Sequence, residues 1–328
     1  MKYCFIVNPY AGKGKCVDEL CEKIKTTCDA RGVDYDVCIT ESIEALGEYV
    51  RATAKDKCAE EEIGFFACGG DGTLCETMNA ILSLEDRQGI YLGLVPVGTG
   101  NDFARNFGDT ECFKDIGAQL DSEKGFVDLI RCNDMYSINM VNIGFDCEVV
   151  VNMIDFKTGK LVPSKFAYIA GIIKTLVKKP GVKMKVSVDG GEYEEKNLLL
   201  TTFANGCFCG GGFRSNPLSK LNDGKMDALF VKDITRLKFI SLVSYYKAGT
   251  HLETDKFKAI VSHGKFDTMD MVFDKETHIC VDGEIVSAKE LHLSVDKGAL
   301  GFIIPRGADK AGLVGADVDA EEMQVASV

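Results

Sequence analysis

The chain has 328 residues, of which 46% are hydrophobic and 27% charged, the balance of a globular protein. At about 150 residues per domain that length suggests two domains, and a formal net charge of -12 excludes a general nucleic-acid binder, since neutralising phosphates needs a basic face. The 14 cysteines are scattered without any CxxC spacing, so reduced thiols in a cytosol are expected rather than a disulfide framework.

The opening "MKYCFIVNPY" is apolar only to Val7 and is broken by Asn8-Pro9, which reads as a first strand rather than a signal peptide. A helical pattern follows at Leu20, Ile24 and Cys28. A second strand is expected over Tyr35–Ile39, then a helix near Ile43–Ala54. A third strand over Ile63–Cys68 leads to a helix over Thr73–Leu82, and Thr73 with Glu76 fits a capping box. A fourth strand over Tyr91–Val97 precedes a short helix at Asp102–Phe107. This βαβα order predicts an α/β N-terminal domain with an open parallel sheet over residues 1–126.

From about Val127 the pattern changes. "VKMKVSVDGGEYE" alternates apolar and polar residues and then turns, and the runs "LLLTTFA", "MDALFV", "MDMVFD", "HICVDGE" and "LHLSV" are short and turn-bounded. They predict a mainly antiparallel β-sandwich C-terminal domain over residues 127–306, whose final segment can return to the first domain, with amphipathic helices near Pro163–Lys179 and Thr235–Leu252. Residues 307–328 read as a flexible tail. No apolar run reaches the ~18 residues of a membrane span. Cys207 and Cys209, the one close pair, read as small apolar fillers.

Three strand-to-helix loops stand out: Asn8-Pro9-Tyr10-Ala11-Gly12-Lys13-Gly14-Lys15, Gly69-Gly70-Asp71-Gly72-Thr73 and Gly98-Thr99-Gly100-Asn101-Asp102. In an open parallel sheet such loops gather at the carboxyl edge of the strands, where ligands bind. Glycines expose backbone N–H groups, and helix N-termini favour anions. None matches GxxxxGK[ST] or GxGxxG. An acid inside a phosphate-type loop has a reason: phosphates arrive with Mg²⁺, which takes one or two carboxylates. The competing role for Asp71 is general base. Lys13 and Lys15 would add positive charge nearby.

At these residues the chain resembles the diacylglycerol kinase catalytic-domain family, which includes bacterial lipid kinases, sphingosine kinases and ceramide kinases. "GGDGT" at 69–73 is shared with NAD kinases and, more loosely, phosphofructokinases, which extends the expected likeness to the fold of the first domain. "PVGTGNDFAR" at 96–105 is more specific, as are "YSINMVNIGFD" at 136–146, "GGGF" at 210–213 with Pro217, "LNDGKMD" at 221–227 and "VDGE" at 281–284. The resemblance implies ATP held by Asn8, Pro9, Tyr10, Ala11, Gly12, Thr40, Gly70, Asp71, Gly72, Thr73, Leu74, Cys75, Glu76 and Thr99, with Asn101 and Asp102 in the third loop. The nucleotide is expected in a cleft between the domains. It implies a proton acceptor in the Asp282-Gly283-Glu284 element, Glu284 ahead of Asp282, and a Mg²⁺ site at Asp223 with the carbonyls of Lys220 and Lys225. Taken alone, "VDGE" also reads as a hairpin turn and "LNDG" as a plain turn. Ala11 stands where many members have Ser, and Cys75 where Asn or His is common.

The expected activity is ATP- and Mg²⁺-dependent phosphoryl transfer to a lipid hydroxyl by a cytoplasmic enzyme touching the membrane only peripherally. A kinase of a soluble acceptor and a non-catalytic nucleotide- or lipid-binding module are the alternatives. The identity of the lipid and a homodimer both stay open. "KFAYIAGIIKTLVKK" (Lys165–Lys179) pairs an apolar face with lysines at its ends, which reads as a core-packed helix with a solvated basic face or, alternatively, as a helix that helps dock the enzyme on anionic membranes.

Overall fold

The computed structural model describes residues 1–14, 17–57, 61–158, 164–178 and 181–314. They form two compact units. The first comprises Met1–Asp128, Leu221–Asp223 and the chain from Gly298 onward; the second comprises Leu129–Lys220 and Gly224–Lys297.

The first unit starts with β1 (Lys2–Val7), α1 (Val17–Arg31), β2 (Tyr35–Ile39), α2 (Ile43–Lys55), β3 (Ile63–Gly69), α3 (Asp71–Leu82) and β4 (Ile90–Pro96). Short helices α4 (Glu111–Lys114) and α5 (Ile116–Leu120) follow, and then β5 (Glu123–Cys132), which leaves the unit at Asp128. β2, β1, β3 and β4 pair in that order, all in parallel. Every residue of β3 is buried, as a central strand covered on both faces must be. α1 turns Leu20, Ile24 and Cys28 inward, one every fourth residue, onto Phe5, Phe66 and Val95. The rings of Phe5 and Phe66 stack at 4.8 Å. Ser42 caps α2 by accepting the N–H of Ala45.

The second unit holds β6 (Met135–Ser137), β7 (Met140–Gly144), α6 (Phe145–Thr158), α7 (Ser164–Lys178), β8 (Val182–Val188), β9 (Glu194–Ala204), β10 (Met226–Lys232), α8 (Arg236–Ala248), β11 (Val261–Phe266), β12 (Thr268–Val281) and most of β13 (Glu284–Ile304). Its strand pairs are antiparallel. β9 pairs β8 through Glu194–Leu198 and β7 through Leu200–Ala204. β12 likewise pairs β8 over Met269–Phe273 and β7 over Ile279–Val281, with a register shift between Val272 and Thr277 where it pairs β13. The four strands therefore close around one core, with Val186, Phe203, Met271, Ile279 and Leu293 inside. A second cluster joins Leu200 and Leu229 of the sheet to Phe145, Phe239 and Tyr246 of the covering helices.

Several sequence expectations change here. The runs "MDMVFD" and "HICVDGE" are one strand, β12, which continues through its register shift. α6 was not foreseen: its first residues are polar and apolar without a helical stripe, because both sides of the helix are partly covered. The final segment of the expected 127–306 domain returns to the first unit from Gly298, where the end of β13 pairs β4 at Phe302–Leu92. Residues 307–314, expected in a flexible tail, are tied down: the N–H of Asp309 reaches Phe107 O at 2.9 Å, and Leu221 N reaches Gly312 O at 2.9 Å. Residues 315–328 lie outside the described residues, as do Lys15 and Lys179.

Candidate active site

The three glycine loops of the first unit are tied to one another. Asn8 ends β1, and its side-chain amide donates to Thr73 Oγ1 at 2.9 Å, while its Oδ1 accepts the N–H of Tyr10 at 2.9 Å. That clasps the first loop to the first turn of α3. Gly69 O accepts the N–H groups of Val97 and Gly98 at 2.9 and 3.1 Å, joining the second loop to the third. Asn101, at φ +54°, donates its side-chain amide to Gly98 O at 2.9 Å. Arg105 reaches back to Gly100 O at 3.1 Å.

Two glycines in these loops are glycine for different reasons. A Cβ on Gly98 would stand 2.5 Å from the Cα of Gly70, so the loops pack backbone to backbone and admit no side chain. A Cβ on Gly72 would meet nothing within 4 Å. Gly72 lies in the first turn of α3, where glycine weakens a helix, and no packing among the described residues demands it. Open space at a helix N-terminus is what a phosphate requires.

Asp71 is the first residue of α3, and its Oδ1 accepts the N–H of Phe103 at 3.2 Å. Burial raises its pKa, opposed by backbone N–H groups of the third loop at Phe103, Asp102 and Asn101. The acid therefore braces two loops while lying in the phosphate-type turn. Its position beside the open space at Gly72 suits a cation that brings phosphates, and a carboxylate oxygen is a donor of the right hardness for Mg²⁺.

The capping box does not form. α3 begins at Asp71 with Gly70 as its N-cap, and no side chain caps it. Thr73 sits inside the first turn, and its hydroxyl accepts the side-chain amide of Asn8. Leu74 and Cys75, carried over as nucleotide contacts, are buried at 1% and 4% exposure, so their side chains serve the core. Cys75 Sγ accepts the side chain of Asn79 at 3.5 Å. Thr40 is buried, with its N–H on Val7 O at 3.1 Å. Asp102 is buried and lies 3.5 Å from Arg105 Nε. Tyr10 and Thr99 are exposed, and Pro9, Ala11, Gly12 and Glu76 are half-buried. The Lys13 side chain lies outside the described residues.

The acidic hairpin of the second unit separates its two carboxylates. Asp282 and Gly283 form the two-residue turn between β12 and β13, at φ +47° and +100°. The Asp282 carboxylate is fully engaged. Its Oδ1 accepts Ser137 Oγ at 2.8 Å, Met140 N at 2.8 Å and Asn139 N at 3.2 Å, and its Oδ2 accepts Ile138 N at 2.7 Å. Burial pushes its carboxyl up to about 6, against the pull of those donors. Asp282 is a clamp on the 137–140 loop. Glu284, two residues on, is exposed.

"LNDGK" straddles the unit boundary. Asp223 belongs to the first unit, and Lys220 and Lys225 to the second. The Lys225 ammonium pairs with Asp267 at 2.6 Å, which leaves only its carbonyl for a metal. Among the described residues no three His, Cys, Asp or Glu side chains converge as a metal-ligand set.

Sequence reasoning missed one feature. Within the second unit a pocket is lined by Phe145, Val149, Ile172, Phe213, Phe239 and Val243, with Asp146, Asn142 and Tyr246 as its polar members. The Tyr246 hydroxyl donates to Asp146 Oδ2 at 2.7 Å, and burial pushes Asp146 up to about 6. Asn142 Oδ1 is buried with no hydrogen-bond partner among the described residues. Asp146 stood within a quoted motif, but its distant partner Tyr246 carried no sequence signal.

Cross-tied glycine loops at the ends of parallel strands, joined in the same chain to a sheet-rich second unit, define an α/β protein with a β-rich companion unit. Residues 2–132 match the diacylglycerol kinase catalytic domain, and residues 139–304 match the YegS C-terminal NAD kinase beta sandwich-like domain. The chain belongs to the diacylglycerol kinase catalytic-domain family. It is 27% identical over 238 residues to a Staphylococcus aureus (strain Mu3) protein named "Putative lipid kinase", covering 72% of this chain and 75% of that one. Its fold is similar to a crystal structure of a "putative diacylglycerol kinase" from Bacillus anthracis str. Sterne, at TM-score 0.72 and 24% identity over 93% of this chain and 97% of that one. A second structure from the same organism, described as of diacylglycerol kinases, gives TM-score 0.69 at 22% identity with the same coverages.

Proposed function

We propose that the protein is an ATP- and Mg²⁺-dependent lipid kinase that transfers the γ-phosphoryl group to the hydroxyl of diacylglycerol or a related lipid. The observation that carries this reading is the unfilled space at Gly72, in the first turn of α3, next to loops whose backbones pack closely at Gly98 and Gly70. The N–H groups of that turn and the Thr73 hydroxyl would hold phosphate oxygens. Asp71 would orient the cation, which when bound spreads the charge of the transferring group. A second cation would use Asp223 and the carbonyls of Lys220 and Lys225.

Glu284 is the proton acceptor in this reading, because its carboxylate is exposed while that of Asp282 is spent on four donors. The lipid hydroxyl loses its proton to Glu284 as its oxygen bonds to the γ-phosphorus, and the bond to the departing ADP oxygen breaks. The pocket of the second unit supports an acceptor that is mostly apolar with one polar end: Phe145, Val149 and Phe239 suit an acyl chain, and Asn142 and Asp146 suit a hydroxyl or ester. The family match and the similarity to proteins named as lipid kinases point the same way.

The test is transfer from labelled ATP, with and without Mg²⁺, to a panel of lipids that includes diacylglycerol, a sphingoid base, ceramide, undecaprenol and phosphatidylglycerol, alongside NAD as soluble acceptor. Mass spectrometry identifies the product. A phosphorylated lipid formed only with Mg²⁺ is expected. Transfer to NAD, or ATP binding with no transfer to any acceptor, overturns the reading.

A further inference from the structure

We propose that residues 309–314 form a strap that holds the third glycine loop and the segment Leu221–Asp223 in one geometry, with Asn222 as its positioning residue, and that nucleotide and cation affinity depend on it. The ligands come from the lipid-kinase reading. The strap itself rests on contacts within the first unit.

Nothing in the run Asp-Lys-Ala-Gly-Leu-Val calls for order. Fixing a chain segment costs backbone entropy, and one that buries little apolar surface frays unless hydrogen bonds hold it. Val314 is 50% exposed, yet the segment is held on two sides.

One side meets the third loop. The N–H of Asp309 reaches Phe107 O at 2.9 Å, and Gly312 lies so close to Asn106 that a Cβ there would stand 2.6 Å from the Asn106 carbonyl oxygen. Asn106 belongs to the 3-10 turn Ala104–Phe107, which continues the third loop. Its buried side chain donates Nδ2 to Phe103 O at 2.9 Å, and the N–H of Phe103 is the one that Asp71 accepts. Contact therefore runs without a break from Gly312 through Asn106 and Phe103 to the acid of the second loop.

The other side meets Leu221 and Asn222. Gly312 O accepts the N–H of Leu221 at 2.9 Å, and Leu221 O accepts the N–H of Asp128 at 2.7 Å, so Leu221 is held between two backbones. Asn222 then closes a two-point clasp on a single residue. Its Oδ1 accepts the N–H of Val314 at 2.6 Å, and its Nδ2 donates to Val314 O at 3.1 Å. A side-chain amide carries the one donor and one acceptor that this clasp uses, where a carboxylate would offer acceptors alone. Asp223, the next residue, is the carboxylate given to the second cation in the lipid-kinase reading. One strap thus braces the backbone behind both Asp71 and Asp223. Removing a group that orients a ligand from behind costs about 10–100-fold in metal affinity.

Two variants of the full chain test the strap. Asn222→Ala removes both bonds to Val314 at a partly exposed position, and its thermal melt should lie within a few degrees of the unsubstituted protein. Gly312→Val drives its side chain against Asn106 O. Hydrogen exchange reads the strap without any ligand: in both variants the amides of Leu221, Asp309 and Phe103 should exchange about tenfold faster or more. Calorimetry with a non-hydrolysable ATP analogue should show a Kd raised about tenfold or more at low Mg²⁺, and recovered in part at high Mg²⁺. A side chain serving stability alone would not change that Mg²⁺ dependence. Asn222→Asp keeps the acceptor for the Val314 N–H and loses the donor, so its Kd should fall between those of Asn222→Ala and the unsubstituted protein. Unchanged exchange at Phe103 in both variants overturns the strap. Faster exchange with unchanged affinity for the ATP analogue overturns its positioning role. If the unsubstituted protein binds no nucleotide, the lipid-kinase reading fails and the affinity claim with it, while exchange still decides whether the strap holds the loop.

Discussion

The carboxylate of Asp71 accepts the backbone N–H of Phe103 at 3.2 Å, so the acid of the second glycine loop is held by the third. Asp71→Asn keeps an oxygen for that N–H and removes only the charge. The variant should melt within a few degrees of the unsubstituted protein and lose turnover by ~10²-fold or more. A titration of activity against Mg²⁺ should show a raised Mg²⁺ requirement. Full activity in the folded variant would leave Asp71 as a brace only.

Gly72 and Gly98 should respond oppositely to the same change. Gly98→Ala drives a methyl into the Gly70 backbone at 2.5 Å and should cost about 1–3 kcal/mol of stability, read by denaturant unfolding. Gly72→Ala places its methyl in open space on a helix, and should leave stability equal or raise it by about 0.5–1 kcal/mol. Its ATP affinity, measured by calorimetry, should nevertheless fall at least about tenfold, because the methyl takes the phosphate's space. Unchanged ATP affinity in Gly72→Ala would remove the phosphate site from this turn.

The acidic hairpin offers a second contrast. Asp282→Ala leaves Ser137, Ile138, Asn139 and Met140 without their acceptor and should cost about 3 kcal/mol or more. Glu284→Gln, at an exposed position, should leave stability unchanged and lower kcat by ~10²–10⁴-fold with ATP affinity intact. A fully active Glu284→Gln would transfer the proton-acceptor role elsewhere.

Asp146 predicts a pH effect of definite sign. Burial raises its folded pKa to about 6 from an ordinary value of 3.8. Between those values the folded protein binds a proton that the unfolded chain does not, so this group adds stability as pH falls and withdraws it as pH rises through about 6. Asp146→Asn resembles the protonated acid. Relative to the unsubstituted protein it should gain on the order of 1–3 kcal/mol at pH 7, with the gain shrinking toward pH 4. Tyr246→Phe removes the donor that favours the carboxylate, and should move the Asp146 titration upward in a carboxyl NMR experiment.

Local pattern was enough for much of this chain. The first four strands and the helices between them are written in short apolar runs and in the i, i+4 spacing of Leu20, Ile24 and Cys28, because each element buries its own stripe. The glycine loops were legible for the same reason: glycine and proline punctuate the chain wherever it turns. What neighbours could not reveal was any partner chosen by tertiary contact. Thr73 looked like a cap, and became the acceptor for Asn8, 65 residues away. The equal acids of "VDGE" were told apart only when the 137–140 loop, some 145 residues earlier, closed its N–H groups on Asp282 and left Glu284 in solvent. α7 announced an apolar face, but whether that face meets the core or water depends on which side of the helix the sheet covers. Hydrophobic period and turn chemistry are properties of adjacent residues, so sequence carries them; burial, hydrogen-bond partnership and pKa belong to groups that folding brings together.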